Sequence, residues 1–176
     1  MALMWRVAMK VFIVSDTHGK HGNLDRALEQ VGKIDVFIHL GDVGDGLGYL
    51  DAIIDCEKYI IGGNNDFFAP VPRELEFMIR DKKVFITHGH KYVPGLDVKG
   101  VVEVGRSRGV DIVMFGHTHM PFLEVLSDIT VLNPGSISLP RQRGREASFM
   151  LMEIKGSGEI EYNTYYLGGD GRFVSL

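Results

Sequence analysis

An internal disulfide is closed to this chain, because Cys56 is its only cysteine in 176 residues. With seven histidines beside that lone thiol, the composition suits a reducing interior, and a cytoplasmic setting is the expectation. A net positive charge is lacking too. A net charge of -4 and a pI near 6.0 argue against a duplex nucleic-acid binder that depends on general basicity. No apolar run is long enough to span a bilayer, so no membrane partner is expected. The opening MALMWRVA lacks a small-residue cleavage site, and residues 1–8 read as an N-terminal extension rather than a signal peptide. Repeats, low-complexity tracts and long linkers are absent too, so residues 1–176 are expected to form a single domain. Nor is there a phosphate-cradling glycine loop that ends in Lys and Ser/Thr. The glycine-rich GDVGDGLG (41–48) misses the dinucleotide spacing, and Asp42 and Asp45 would repel a pyrophosphate.

What the chain does have is a pattern of short apolar runs that stop at polar, metal-capable residues. VFIV ends at Asp16 and His18, and VFIHL ends at Asp42. YII ends at Asn64, VFIT at His88, and IVMF at His117 and His119. In an open α/β sheet the carboxyl ends of strands converge on one crevice, so these five endings can build one site. Between them, helical spacing follows a cap at Asn23 (Leu24, Ala27, Leu28, Val31), recurs at Leu47, Leu50, Ile53 and Ile54, and follows a cap at Asp97 up to Gly109. From residue 122 onward the pattern turns to strand after strand, over 122–126, 130–132, 148–154 and 159–166. The fold class expected is α/β, with a mixed sheet or a pair of packed sheets and helices outside.

The pairs Asp16/His18 and His117/His119 are each two residues apart, which in extended backbone aims both side chains to one side. Imidazole nitrogen with carboxylate and amide oxygen suits borderline divalent ions such as Mn, Fe or Zn. Asp16, His18, Asp42, Asn64, His88, His117 and His119 make seven candidate ligands, more than one tetrahedral ion uses, and two ions that share a carboxylate use them better. His39 reads as packed inside its strand and His21 as the start of a loop, and the methionines, Met4 among them, as core or gap-filling residues. Asp66 reads as structural. Arg141, Arg143 and Arg145 sit in a loop that could meet a phosphate but is more simply solvated.

The ordered set DTHG (16–19), GD (41–42), GNND (63–66), THGH (87–90), GHTH (116–119) and NPGS (133–136) resembles the calcineurin-like metallophosphoesterases. It is most similar to their small phosphodiesterase branch, which shares its fold with a retromer subunit. The resemblance implies two β-sheets packed face to face with helices outside, an α/β/β/α sandwich. It also implies a dinuclear site in which Asp16, His18, Asp42 and His119 hold one ion and Asp42, Asn64, His88 and His117 the other. The expected activity is phosphodiester hydrolysis by a hydroxide between two divalent ions, Mn first, with Ni, Co, Fe or Zn as alternatives. A phosphomonoesterase or a non-catalytic protein-binding scaffold of the same fold are the rival readings. The expected partner is a small phosphodiester, and a homo-oligomer stays open. Asn65 stands where the family often carries a histidine or cysteine, and an amide cannot deliver a proton near neutral pH. Asn65 and His90 are therefore the candidate catalytic residues, His90 as a substitute acid or as a hydrogen-bond partner of a ligand. NPGS is expected to be mostly a tight turn at Pro134 and Gly135.

Overall fold

A computed structural model describes residues 7–175, so Met4 and most of the expected extension lie outside the described residues. The strands are β1 (Met9–Val14), β2 (Val36–His39), β3 (Glu57–Ile60), β4 (Glu74–Ile79), β5 (Lys82–Thr87), β6 (Ile112–Phe115), β7 (Pro121–Val125), β8 (Thr130–Pro134), β9 (Ser148–Ile154), β10 (Ile160–Leu167) and β11 (Phe173–Ser175). The helices are α1 (Gly22–Val31), α2 (Leu47–Ile53) and α3 (Lys99–Arg108). One sheet runs β11-β10-β9-β1-β2-β3 and the other β4-β5-β6-β8-β7. Within the first, β1, β2 and β3 are parallel. In the second, β5, β6 and β8 are parallel and antiparallel β4 and β7 close the edges.

The period of two along each strand decides the layering. From β1, Val11 and Ile13 enter the core between the sheets together with Ile38, Ile86, Met114 and Met150. The alternate residues Phe12 and Val14 face the other way, onto Leu24, Ala27 and Leu50 of the first two helices. On the second sheet, Phe85, Val113 and Phe115 turn outward onto Val101 and Val102 of α3. Strands buried on both faces read as continuous apolar runs, which is why VFIV, VFIH and IVMF show no alternation. The result is the α/β/β/α sandwich, with each fully buried Leu or Phe worth about 1.5–3 kcal/mol of transfer energy.

Several expected details shift. Asn23 does not cap α1. His21 holds that position, and the Asn23 amide instead donates to the Ile137 carbonyl at 2.9 Å. Asp97 lies one residue before the N-cap, Val98, and accepts the Lys99 amide at 3.0 Å. Gly109 does close α3, at a φ of 62°. Strand β11 was not foreseen, and Met78 is 56% exposed rather than core.

Candidate metal centre

Asp16, His18, Asp42, His117 and His119 do not lie in extended backbone. Their φ values are 55°, 47°, 54°, 68° and 58°, in the left-handed region that side chains usually avoid. The strand-based account of how the i, i+2 pairs converge is therefore replaced: each strand ends, and a strained loop turns its ligands back over the sheet edge. Five of the seven non-glycine residues with positive φ among the described residues are thus candidate ligands, and strain of this kind needs support from the surroundings.

That support comes from five neighbours. The Asp66 carboxylate accepts the backbone amides of Val43 (3.0 Å), Gly44 (2.9 Å) and Gly63 (2.8 Å), tying the loop after β2 to the loop after β3. Its structural reading is the one the geometry bears out. Ser136 Oγ donates to the Asp16 carbonyl at 2.9 Å, and Ser138 Oγ lies 2.8 Å from the carbonyls of both Asp16 and Thr17. The Asn133 amide donates to the Gly116 carbonyl at 2.8 Å, so NPGS is a brace for the loops after β1 and β6 as well as a turn. His39 is fully buried, accepts the Gly41 amide at Nδ1 (3.2 Å) and therefore carries its proton on Nε2, 3.0 Å from Thr17 Oγ1. Ser138 and Asn133 went unmarked as braces in the sequence; the NPGS motif was the available signal. His21, expected to begin a loop, stands instead at the N-cap of α1 and stacks on Tyr49 at 4.3 Å.

The ligand atoms meet above this frame. His119 Nε2 is 3.0 Å from Asp16 Oδ1, and His18 and His88 Nε2 are each 3.9 Å from that same oxygen. Asp42 Oδ2 lies 3.7 Å from His18 Nε2 and 3.6 Å from His88 Nε2. The Asp16, His18, Asp42 and His119 donors all lie within 4.8 Å of one another. Two donors ~2.1 Å from one tetrahedral ion stand about 3.4 Å apart, so the set is drawn in to coordinating distance. His88 Nε2 is 3.1 Å from Asn64 Oδ1, and its ring centroid is 5.3 Å from that of His117. His88 Nδ1 donates to the Leu40 carbonyl (2.7 Å) and His119 Nδ1 to the Leu139 carbonyl (2.6 Å), which leaves both Nε2 lone pairs aimed inward.

The donor set fits a cation by its charge as well. Asp16 Oδ1 is buried, and neutral His119, its ring proton given to Leu139, has none to donate across the 3.0 Å between them, so the oxygen is an acceptor left for something positive. Burial pushes the Asp16 carboxyl up, but His119 and the charge of His88 outweigh it and hold it below its ordinary value. Burial pulls His119 down, and Asp16 more than reverses that. His117 and His90 are both lowered by burial and then by His88. The same negative field that favours a protonated His119 favours a divalent ion. Asn65 is exposed at the mouth, its backbone amide 2.9 Å from Asp42 Oδ1 and its side-chain amide 2.6 Å from Oδ2. His90 has its ring 5.7 Å from His88 and 6.1 Å from His117, with a buried and unpartnered Nδ1. Arg141 is exposed, and its backbone amide donates to the His119 carbonyl at 3.1 Å; Arg143 and Arg145 are solvated.

The model of the calcineurin-like phosphoesterase superfamily domain matches residues 9–157. The chain belongs to that superfamily. It is 36% identical over 141 residues to a probable metallophosphoesterase of Methanocaldococcus jannaschii, covering 76% of this chain and 70% of that protein. A phosphodiesterase of the same organism is 32% identical over 146 residues, covering 72% of this chain and 83% of the relative. Among solved structures, wild-type Vps29 of Entamoeba histolytica complexed with Zn²⁺ is similar at a TM-score of 0.79 and 25% identity, over 96% of this chain and 97% of that one. As a calcineurin-like phosphoesterase, the chain carries its family motifs at the strand ends where the donors gather. Among the described residues, no helix is long and apolar enough to cross a membrane.

Proposed function

We propose that this metallophosphoesterase works as one domain, in the cytoplasm, and hydrolyses phosphodiesters at a dinuclear site. Asp16, His18, Asp42 and His119 would hold one ion, and Asn64, His88 and His117 the other, with Asp42 shared. The carrying observation is Asp16 Oδ1, buried without a hydrogen bond while three imidazole Nε2 atoms stand 3.0–3.9 Å away. Mixed imidazole and carboxylate donors suit Mn first, and Ni, Co, Fe or Zn as well. When bound, such ions supply Lewis-acid polarisation of phosphoryl oxygens and lower the pKa of water. The chain's own residues do the rest. Carbonyls of Leu40 and Leu139 fix the imidazole tautomers, and Asn65 orients Asp42 while its exposed amide can donate to a phosphate oxygen. His90, kept largely neutral near pH 7 by burial and by His88, would serve as an acid only at lower pH or act as an orienting partner.

Protein stripped with chelator and reloaded separately with Mn, Ni, Co, Zn or Mg should regain hydrolysis of a nitrophenyl diester in preference to the monoester, with two ions per chain by elemental analysis. Full turnover by stripped protein would end the metal reading, and preference for the monoester would move the substrate class. The likeness to Vps29 supports a second reading, a non-catalytic protein-binding scaffold. That reading requires no hydrolysis at any loading, together with a partner from cell extract that the metal-free protein still binds.

A further inference from the structure

Asn65 faces two ways: it holds Asp42 on one side and lines a cleft of about 570 Å³ on the other, together with Gly44, Asp45, Leu47, Phe67 and Phe68. Phe67 is 75% exposed and Phe68 is 99% exposed. Scattered exposed apolar residues need no explanation, but two adjacent phenyl rings within four residues of a candidate ligand, Asn64, do. Their loop is tied down. Arg73 Nη2 donates to the Asp66 carbonyl at 2.7 Å, Arg73 Nη1 donates to the Gly63 carbonyl, and the Ala69 amide donates to the Asp66 carbonyl at 3.3 Å. The rings are therefore presented to solvent by a fixed backbone, on the loop that follows candidate ligand Asn64 and beside Asn65, which bonds Asp42.

We infer that this cleft, walled by Phe67, Phe68 and Leu47 and bounded by Asp45, is the subsite for a flat, uncharged aromatic ester group of the substrate. The inference rests on the phosphodiesterase reading and names the arm of the diester that lies away from the reacting phosphorus. The cleft's volume is that of a small-molecule site, and its lining is mostly apolar, as such sites are. Asp45 also lines the cleft; it is exposed, with its carboxylate against Gly19, the residue after His18. A carboxylate there repels an arm bearing a second phosphate or carboxylate and accepts a hydrogen bond from a ring N–H. A nucleobase has that chemistry, flat and uncharged with N–H donors, and a base stacked on an aromatic side chain gains roughly 5- to 150-fold in affinity.

The test uses two diesters with one leaving group, thymidine 5′-(4-nitrophenyl phosphate) and methyl 4-nitrophenyl phosphate, on Mn-loaded wild type, Phe68→Ala and Phe67→Ala. Wild type should favour the thymidine ester, and the ratio of the two kcat/KM values should fall about tenfold in Phe68→Ala. An unchanged ratio, or equal losses on both esters, would overturn the subsite. If wild type hydrolyses neither ester, the diesterase reading itself fails, and calorimetry with phenylphosphonate and methylphosphonate decides the cleft: a preference for the phenyl compound that Phe68→Ala abolishes retains it, and equal binding overturns it. A change in sedimentation of Phe68→Ala with no change in ligand preference would make the patch a contact between copies and would also overturn it.

Discussion

Asp42 and Asn65 are the two residues whose chemistry most depends on each other, since Asn65 bonds both Asp42 oxygens and so fixes the plane of the carboxylate. Replacing Asp42 by Ala should therefore release both ions, whereas His18→Ala should release one. The turnover loss of Asp42→Ala should exceed the roughly 10–100-fold that loss of an outer partner costs. Retention of two ions by Asp42→Ala, measured by elemental analysis, would remove its bridging role. Asn65 separates from it by leaving group. A positioned acid contributes roughly 10²–10⁴-fold, so Asn65→His should raise kcat/KM for an alkyl diester and leave a nitrophenyl diester nearly unchanged, because nitrophenolate departs without a proton. Equal changes on both, with metal content matched, would show that residue 65 acts through binding or metal retention. At this scale the candidate ligands were legible because polar residue types interrupt apolar runs, a change visible residue by residue. The left-handed backbone that aims Asp16 and His117 was not, because nothing in an Asp or His announces a positive φ before the neighbouring loops are placed.

The strands and helices were legible where burial forces a pattern, and less so at their ends. Runs such as VFIV and IVMF could only be buried strands, and α1 carried its apolar face openly, but Asn23 and Asp97 look like caps and their side chains go elsewhere, to Ile137 and to Lys99. Short polar side chains satisfy whichever backbone group comes nearest, and a tertiary partner decides that. The same rule explains Asp66, which joins the loops after β2 and β3 through three backbone amides. Asp66→Ala strands two buried amides and one half-buried amide, so it should cost about 3 kcal/mol or more in urea unfolding. Asp66→Asn keeps one acceptor oxygen and should cost about 1–2 kcal/mol. Gly63 adds a second constraint in the same place, because a Cβ there would collide with the Asp42 carboxylate, so Gly63→Ala should disturb the metal centre while leaving the sheets intact. An Asp66→Ala protein as stable as wild type would mean that water replaces the carboxylate and that the loops hold themselves.

Across the whole molecule, the split into two sheets was the part local pattern carried least. The first sheet pairs β1 with β9 across more than a hundred residues of chain, and no periodicity within either strand states its neighbour. What the fold then does to one residue makes a global prediction. His39 sits between the helix layer and the metal loops, fully buried, and burial lowers its pKa from 6.5 to about 4. Its Nδ1 faces the Gly41 N–H, so a proton there would set donor against donor. In the unfolded chain His39 protonates near 6.5, while in the folded chain it stays neutral until about 4. Between those values the unfolded state binds the extra proton, so stability is fully present above about 6.5 and falls as pH drops toward 4. The full loss is about 3 kcal/mol, of which about 2 kcal/mol is gone by about pH 5. His117 and His119 are shifted as well, so wild type and His39→Gln are compared in the same chelated state, where that share is common to both. The variant should be less stable at pH 7.5 and show a flatter decline to pH 5 in urea unfolding. Parallel declines would mean that His39 takes up its proton in the folded protein at an ordinary pH, and that the Gly41 contact opens to admit it.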